Sequence, residues 1–269
     1  MGNPFNRVTE VRKENALIHV ITNQVVMNDS ANGLLALGAS PFMSSAVEEM
    51  AEVVAIADAV VLNIGTLTSS QLEAMETAGT LANQLNKPVV LDPVGVGATT
   101  YRKQAVMALL EKVHPTVIRG NAGEIAALSG TQWQVKGVDA GSGTGDVAQM
   151  ARKVALQYQT LVAVSGVTDI LTDGTTTYKI HNGTSAFTKM TGAGCLLSCI
   201  CGAYLAKQTE HQLEHLLAGC TMYAVAGEIV AKAIQLPAVG TFRTKLLDQL
   251  SIITSEIVAE QANIERVEK

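Results

Sequence analysis

The sequence predicts a single α/β domain, residues 1–269, built on a mostly parallel central sheet with helices on both faces. Short apolar, β-branched runs alternate with longer helical patterns along most of the chain, the rhythm of strand, crossover helix and parallel strand. The strands are apolar without alternation, as in Val89-Val90-Leu91 ahead of Asp92, which suits burial on both faces. A chain of 269 residues that is 48% hydrophobic also holds enough apolar surface for one full core.

The strands are read at Leu17 to Ile21, Ala59 to Ile64, Pro88 to Leu91, Thr116 to Ile118 and Leu161 to Val164. Between them, Ser69 to Asn86, Tyr101 to Val113, Ala122 to Leu128 and Asp146 to Tyr158 carry helical spacing. From about Ile170 to Phe187 the pattern changes to short strands with turn signals at Asp173-Gly174 and Asn182-Gly183, predicting an antiparallel edge. The remainder, from Gly192 onward, reads as helices, two of them at Leu213 to Ile234 and Phe242 to Ala262. The glycine-containing segment Lys136 to Gly145 reads as a mobile loop.

Composition narrows the partners. A net charge of −5, only 19 Lys plus Arg and 4% aromatics argue against a nucleic-acid or anionic-membrane surface. The first residues, Met-Gly-Asn-Pro-Phe-Asn-Arg, lack the basic and apolar blocks of a secretory signal, so the expected location is cytoplasmic. Cys195, Cys199, Cys201 and Cys220 crowd into one helical stretch, which suits reduced, buried thiols better than disulfides or zinc. The charge-free stretch between Lys189 and Lys207 is too short and too rich in Gly and Ser for a membrane span, and reads as a core helix.

In open α/β sheets ligands sit beyond the carboxyl ends of the strands. Five apolar runs here end in polar residues or glycines: Thr22-Asn23, Asn63-Ile-Gly65-Thr66, Asp92-Pro-Val-Gly95, Arg119-Gly-Asn121 and Ser165-Gly166. A parallel sheet gathers them on one edge. The sharpest signal is Thr191-Gly192-Ala193-Gly194-Cys195, a glycine-rich turn running directly into an apolar helix. Its unpaired backbone N–H groups and the positive helix end suit a phosphate; close helix packing also explains such glycines. No Gly-Lys-Ser or Gly-Lys-Thr occurs, so this is no Walker A loop.

Gly192-Ala193-Gly194 followed by Cys195 resembles the Gly-Ala-Gly-Asp signature of ribokinase-like kinases, and Asn121-Ala-Gly-Glu124 is similar to their Asn-x-x-Glu magnesium motif. Within that superfamily, Ile21-Thr-Asn23, the segment from Ala31 to Pro41, Asn63-Ile-Gly-Thr66, Leu91-Asp-Pro-Val94, Arg119-Gly-Asn121 and Met190 to Cys195 are similar to hydroxyethylthiazole kinases. The likeness runs from about Leu17 to the C-terminal helix. It implies a ribokinase-like fold and Mg²⁺-dependent transfer of phosphate from ATP to the primary alcohol of 4-methyl-5-(2-hydroxyethyl)thiazole, in thiamin salvage. It further implies a homotrimer with active sites at the subunit interfaces.

By the same resemblance, Asn23, Met43, Gly65, Gly192 and Cys195 shape the thiazole side, Arg119 and Ser165 hold ATP, and Asp92 and Glu124 organise Mg²⁺. Gly192, Ala193, Gly194 and Cys195 form the catalytic turn. Each residue has a plainer reading as well: Met43 as core filling, Asp92 and Glu124 as caps or turn residues, Arg119 as a surface ion pair. Cys195 stands where the wider superfamily has an Asp base, and a thiol is a poor base at neutral pH. A kinase for another small alcohol, or a nucleotide-binding protein without catalysis, are the competing expectations. His211-Gln-Leu-Glu214-His215 matches an inverted zinc-peptidase pattern but reads as the polar start of a surface helix, and His19 as a core histidine.

Overall fold

The computed structural model describes residues 5–131, 133–136, 139–142, 146–234 and 237–267. In chain order the elements are α1 (Asn6–Glu14), β1 (Leu17–Ile21), α2 (Met27–Leu37), β2 (Ser40–Met43), α3 (Met50–Ile56), β3 (Ala59–Asn63), α4 (Ser69–Gln84), β4 (Val89–Asp92) and α5 (Thr100–Lys112). They continue with β5 (Val117–Asn121), α6 (Ala122–Ser129), β6 (Gln134–Lys136), β7 (Asp139–Ser142), α7 (Val147–Tyr158), β8 (Leu161–Ser165), β9 (Asp169–Thr172) and β10 (Thr177–Ile180). The last are α8 (Ala193–Leu205), α9 (Gln212–Ile234), α10 (Val239–Ile252), α11 (Ser255–Gln261) and β11 (Ile264–Val267).

The main sheet has the order β11-β10-β9-β8-β5-β4-β3-β1-β2. From β2 to β8 every pairing is parallel, and β9, β10 and β11 add an antiparallel edge. Alternate residues of the central strands feed two cores. Ile18, Val20, Val61, Val90 and Val117 face α1, α2, α8, α9 and α10. Val60, Leu62, Val89, Leu91 and Ile118 face α3 to α7. Helix α8 lies close on the sheet because a β-carbon at Gly202 would approach Val61 to 2.9 Å.

Buried Arg7 fixes the far end of that helix. Its Nε donates to Tyr204 O at 3.2 Å and its Nη2 to Ala206 O at 3.0 Å, while Nη1 pairs with Glu14 at 2.6 Å. A cation at a helix C-terminus satisfies carbonyls that the helix leaves open. Helix α9 is long and apolar enough to cross a membrane, but 67% of its most apolar window is buried in the core.

Several sequence expectations need correction. The Lys136 to Gly145 segment is not all loop: β6 and β7 pair antiparallel as a small second sheet, while residues 137–138 and 143–145 lie outside the described residues. The stretch Phe242 to Ala262 is two helices, because Ile253 turns extended and the Thr254 side chain caps α11 through the Ile257 amide at 3.3 Å. The C-terminal part also contributes a strand, β11, so it is not purely helical. Asn182-Gly183 follows β10 rather than joining two strands. His211 precedes α9 with φ +53° and does not share a helical face with His215. Among the described residues no three metal-ligating side chains cluster.

Candidate active site

The carboxyl ends of β1, β3, β4, β5 and β8 converge on the start of α8. Gly192 takes φ +86°, and a β-carbon there would lie 2.5 Å from Val26, so the tight approach and the left-handed backbone both require glycine. The Ala193 amide donates to Met190 O at 3.3 Å and Leu196 begins the helical ladder on Gly192 O. Gly194 and Cys195, the second and third residues of α8, therefore carry amides that the helix itself does not use.

A buried polar chain crosses beneath this turn. Asn23 Nδ2 reaches Cys195 Sγ at 3.5 Å and Asn63 Oδ1 at 2.9 Å. Asn63 Oδ1 also accepts from the Gly65 amide, at 3.0 Å, which fixes its Nδ2 as donor to Asp92 Oδ2 at 2.8 Å. Ser198 Oγ donates to the same Oδ2 at 2.7 Å. Arg119 Nη1 lies 3.8 Å from that oxygen, and its Nη2 donates to Ser165 Oγ. Asp92 is wholly buried, and its Oδ1 has no partner among the described residues.

Glu124 is the third residue of α6 and closes a capping box with Asn121. Its Oε2 accepts from Asn121 N at 2.7 Å and its Oε1 from Gly95 N at 2.9 Å. The capping reading from the sequence is therefore correct for Glu124, yet the same carboxylate stands within the field of Asp92. Burial first and the Asp92 charge second push Glu124 up to about 7. Burial also raises Asp92, against the opposing pull of Arg119, Ser198 and Asn63. For Cys195 burial and then Asp92 raise the thiol to about 11, so it is protonated at neutral pH as the sequence suggested.

The sequence-derived residues largely come together. Asn23, Gly65, Asp92, Arg119, Ser165 and the glycine turn that holds Gly192 to Cys195 come together, and Glu124 joins them through its charge on Asp92 and Arg119. Met43 stands apart, half-buried at the end of edge strand β2 opposite Val20 and packed on the core. Arg119 is no surface ion pair: it is buried. His19 is a core histidine, its Nε2 against Ser44 O at 3.1 Å and its pKa lowered by burial.

Asn63 was read only as a polar strand ending, and three further residues around the site escaped the sequence reading: Ser198, Arg102 and Tyr223. Arg102, on α5, donates to the carbonyls of Ile64 at 2.7 Å, Val94 at 2.6 Å and Gly65, tying together the loops after β3 and β4. Tyr223, on α9, donates to Ala193 O at 3.0 Å and stacks on Phe187. Only the polar ending at Asn63 had a visible signal; the other three sit inside helical patterns.

Next to Ser165 opens a cavity of ≈ 530 Å³ lined by Trp133, Val147, Val167, Thr168, Lys179 and His181 among others. Val167 is 99% exposed at its rim. Its lining mixes apolar side chains with a few polar groups, Ser165, Lys179 and His181 among them, the make-up of a small-molecule pocket.

Residues 8–256 match the hydroxyethylthiazole kinase family. A hydroxyethylthiazole kinase of Pasteurella multocida is 52% identical over 256 residues, covering 95% of this chain and 96% of that protein. The solved structure of hydroxyethylthiazole kinase from Pyrococcus horikoshii superposes with a TM-score of 0.90 at 37% identity, covering 100% of both chains. A ribokinase-like superfamily protein from Enterococcus faecalis shares the fold at 12% identity, with a TM-score of 0.63 over 91% of this chain and 89% of that one. With the glycine turn, the Asn121–Glu124 box and the fold all in place, the chain belongs to the hydroxyethylthiazole kinase family and has the ribokinase-like fold.

Proposed function

We propose that this chain, as one kinase domain, transfers the terminal phosphoryl group of ATP to the primary alcohol of 4-methyl-5-(2-hydroxyethyl)thiazole, forming the thiazole phosphate for thiamin salvage. The observation that carries this reading is the convergence of Asp92, Arg119, Glu124 and Cys195 on the N-terminus of α8, in a chain whose relatives bear that enzyme name.

Phosphoryl transfer has a loose transition state, so positioning and charge neutralisation supply most of the catalysis. Arg119 stays charged in its buried setting through Asp92 and Glu124, and with Ser165 it would hold ATP phosphates. The base and ribose would occupy the cavity beyond Ser165. The Gly194 and Cys195 amides would receive the transferring group. Asn23, Gly65, Gly192 and Cys195 would border the thiazole, with Cys195 offering a neutral thiol rather than a base.

Mg²⁺ fits here: the orphaned Oδ1 of Asp92 and the carboxylate of Glu124 supply hard oxygen donors, directly or through water. When bound, the ion would neutralise charge on the phosphates. A homotrimer would bring a neighbour onto Val25 and Met27, which stand exposed two and four residues after Asn23 and flank the Val26–Gly192 contact. Covered by a neighbour together with Met43, they would complete a thiazole pocket at an interface. A cytoplasmic enzyme fits this substrate and ATP.

The test is a coupled ADP-release assay with Mg·ATP and the thiazole, with the product identified by mass. Thiazole-dependent turnover is the expected result. ATP binding without transfer, or turnover only with another alcohol, would overturn the assignment. Light scattering across a dilution series is expected to show a trimer whose activity falls as it dissociates.

A further inference from the structure

Asp92 accepts hydrogen bonds on one oxygen only. Oδ2 receives Asn63 Nδ2 at 2.8 Å and Ser198 Oγ at 2.7 Å, and is also the oxygen nearer Arg119, while Oδ1 is buried with no partner among the described residues. A carboxylate free to rotate about its Cβ–Cγ bond would interchange the two oxygens. Here two donors on Oδ2, one from a strand end and one from a helix, remove that freedom. Ser198 itself is wholly buried, 0% exposed, on the face of α8 that meets β4. It lies one helical turn after Gly194, and its Oγ is also 3.4 Å from Gly194 O.

We propose that Ser198 is a positioning residue for phosphoryl transfer: its hydroxyl commits Oδ2 of Asp92, leaves Oδ1 for the metal–nucleotide, and sets that carboxylate in register with the glycine turn. This rests on the reading of Asp92 as a Mg²⁺ group given above. A buried serine in an apolar helix has a structural alternative, in which its hydroxyl merely satisfies itself against the preceding turn. The two differ in consequence. Outer-shell hydrogen bonds to a metal-binding carboxylate typically carry roughly 10- to 100-fold of metal affinity, whereas a back-bonded serine carries none.

The experiment compares wild type, Ser198→Ala, Ser198→Thr and Asp92→Asn. Binding of Mn²⁺ in the presence of ADP is followed by electron paramagnetic resonance, with the Mg²⁺ dependence of thiazole phosphorylation and Tm measured alongside. Ser198→Ala is expected to weaken Mn²⁺·ADP binding and raise the half-saturating Mg²⁺ by roughly 10-fold, with the KM for thiazole unchanged. Ser198→Thr, which keeps the hydroxyl, is expected to bind Mn²⁺ like wild type. If Asp92→Asn loses Mn²⁺ binding while Ser198→Ala retains it, the role of Ser198 is overturned and the metal assignment stands. If Asp92→Asn binds Mn²⁺ normally, the metal assignment itself fails and the proposal with it. A Ser198→Ala protein that only melts earlier, at unchanged metal affinity, would show a purely structural hydroxyl.

Discussion

The guanidinium of Arg119 is seated against the α-carbon of Gly194: a β-carbon at that position would lie 2.6 Å from Nη1 and 3.1 Å from Cζ. The glycine therefore makes room for the arginine, in line with the close packing that the sequence also allowed. Gly194→Ala or Gly194→Val must displace Arg119 from between Asp92 and Ser165. A misplacement of this order costs about 10²-fold in rate, so kcat/KM for ATP is expected to fall by about that factor in a folded protein. Near-normal kinetics would show that Arg119 has no fixed role.

Cys195 is held as a thiol by burial and by the Asp92 charge, with its pKa raised to about 11. Because the shift is upward, thiolate appears only as pH rises toward that value; at pH 7.5 it is roughly one part in 3000. Alkylation by iodoacetamide, followed by peptide mass, is expected to be slow at neutral pH and still accelerating above pH 10. Cys195→Asp, which restores the carboxylate of the wider superfamily, is expected to keep or raise turnover. A folded but inactive Cys195→Asp enzyme would contradict the view that this position lacks a base.

Arg102 joins two loops that carry site residues, through the carbonyls of Ile64, Gly65 and Val94. Hydrogen bonds to a charged donor are worth roughly 1.5–3 kcal/mol each and do not add. Arg102→Ala is expected to lower unfolding free energy by about 2–4 kcal/mol and to raise the KM for thiazole through Gly65. Arg102→Lys should recover only part, since an ammonium lacks the planar fork that spans three carbonyls. Chemical denaturation and steady-state kinetics on both variants check this.

Trp133 is the chain's single tryptophan and lines the cavity beside Ser165. Intrinsic fluorescence is expected to change on addition of ATP and to saturate at the concentration where ATP saturates turnover. An unchanged spectrum at saturating ATP would remove Trp133 from the nucleotide side.

Much of the site was legible because a parallel sheet delivers its strand ends to one edge, so Asn23, Asp92, Arg119 and Ser165 could be read from position alone. The glycine turn was legible because Gly-Ala-Gly directly precedes an apolar helix. Ser198 and Tyr223 were hidden for the opposite reason: each is a polar residue inside a buried helix, where nothing in the local pattern says which way its hydroxyl points. Arg102 looks like an ordinary charge on an amphipathic helix until the loops are in place. Among the strands, β11 was missed because Ile-Glu-Arg-Val is half charged, as an exposed edge strand tends to be. The break at Ile253 carries no Gly or Pro; beside the Thr254 cap, Arg12 of α1 reaches the Leu250 and Ile253 carbonyls there.

The edge strand β11 has a consequence for the order in which the enzyme becomes competent. It pairs with β10, and Glu265 engages both Lys179, at 3.2 Å, and His181, at 3.1 Å, two of the residues that line the cavity. During synthesis the residues from Asn23 to Ser165 leave the ribosome long before Glu265 does. The strand ends that carry these side chains can thus pair on the nascent chain, while the cavity wall at Lys179 and His181 waits for Glu265, 86 and 84 residues further on. ATP is then expected to stabilise a chain that includes β11 more than one cut before Ile264.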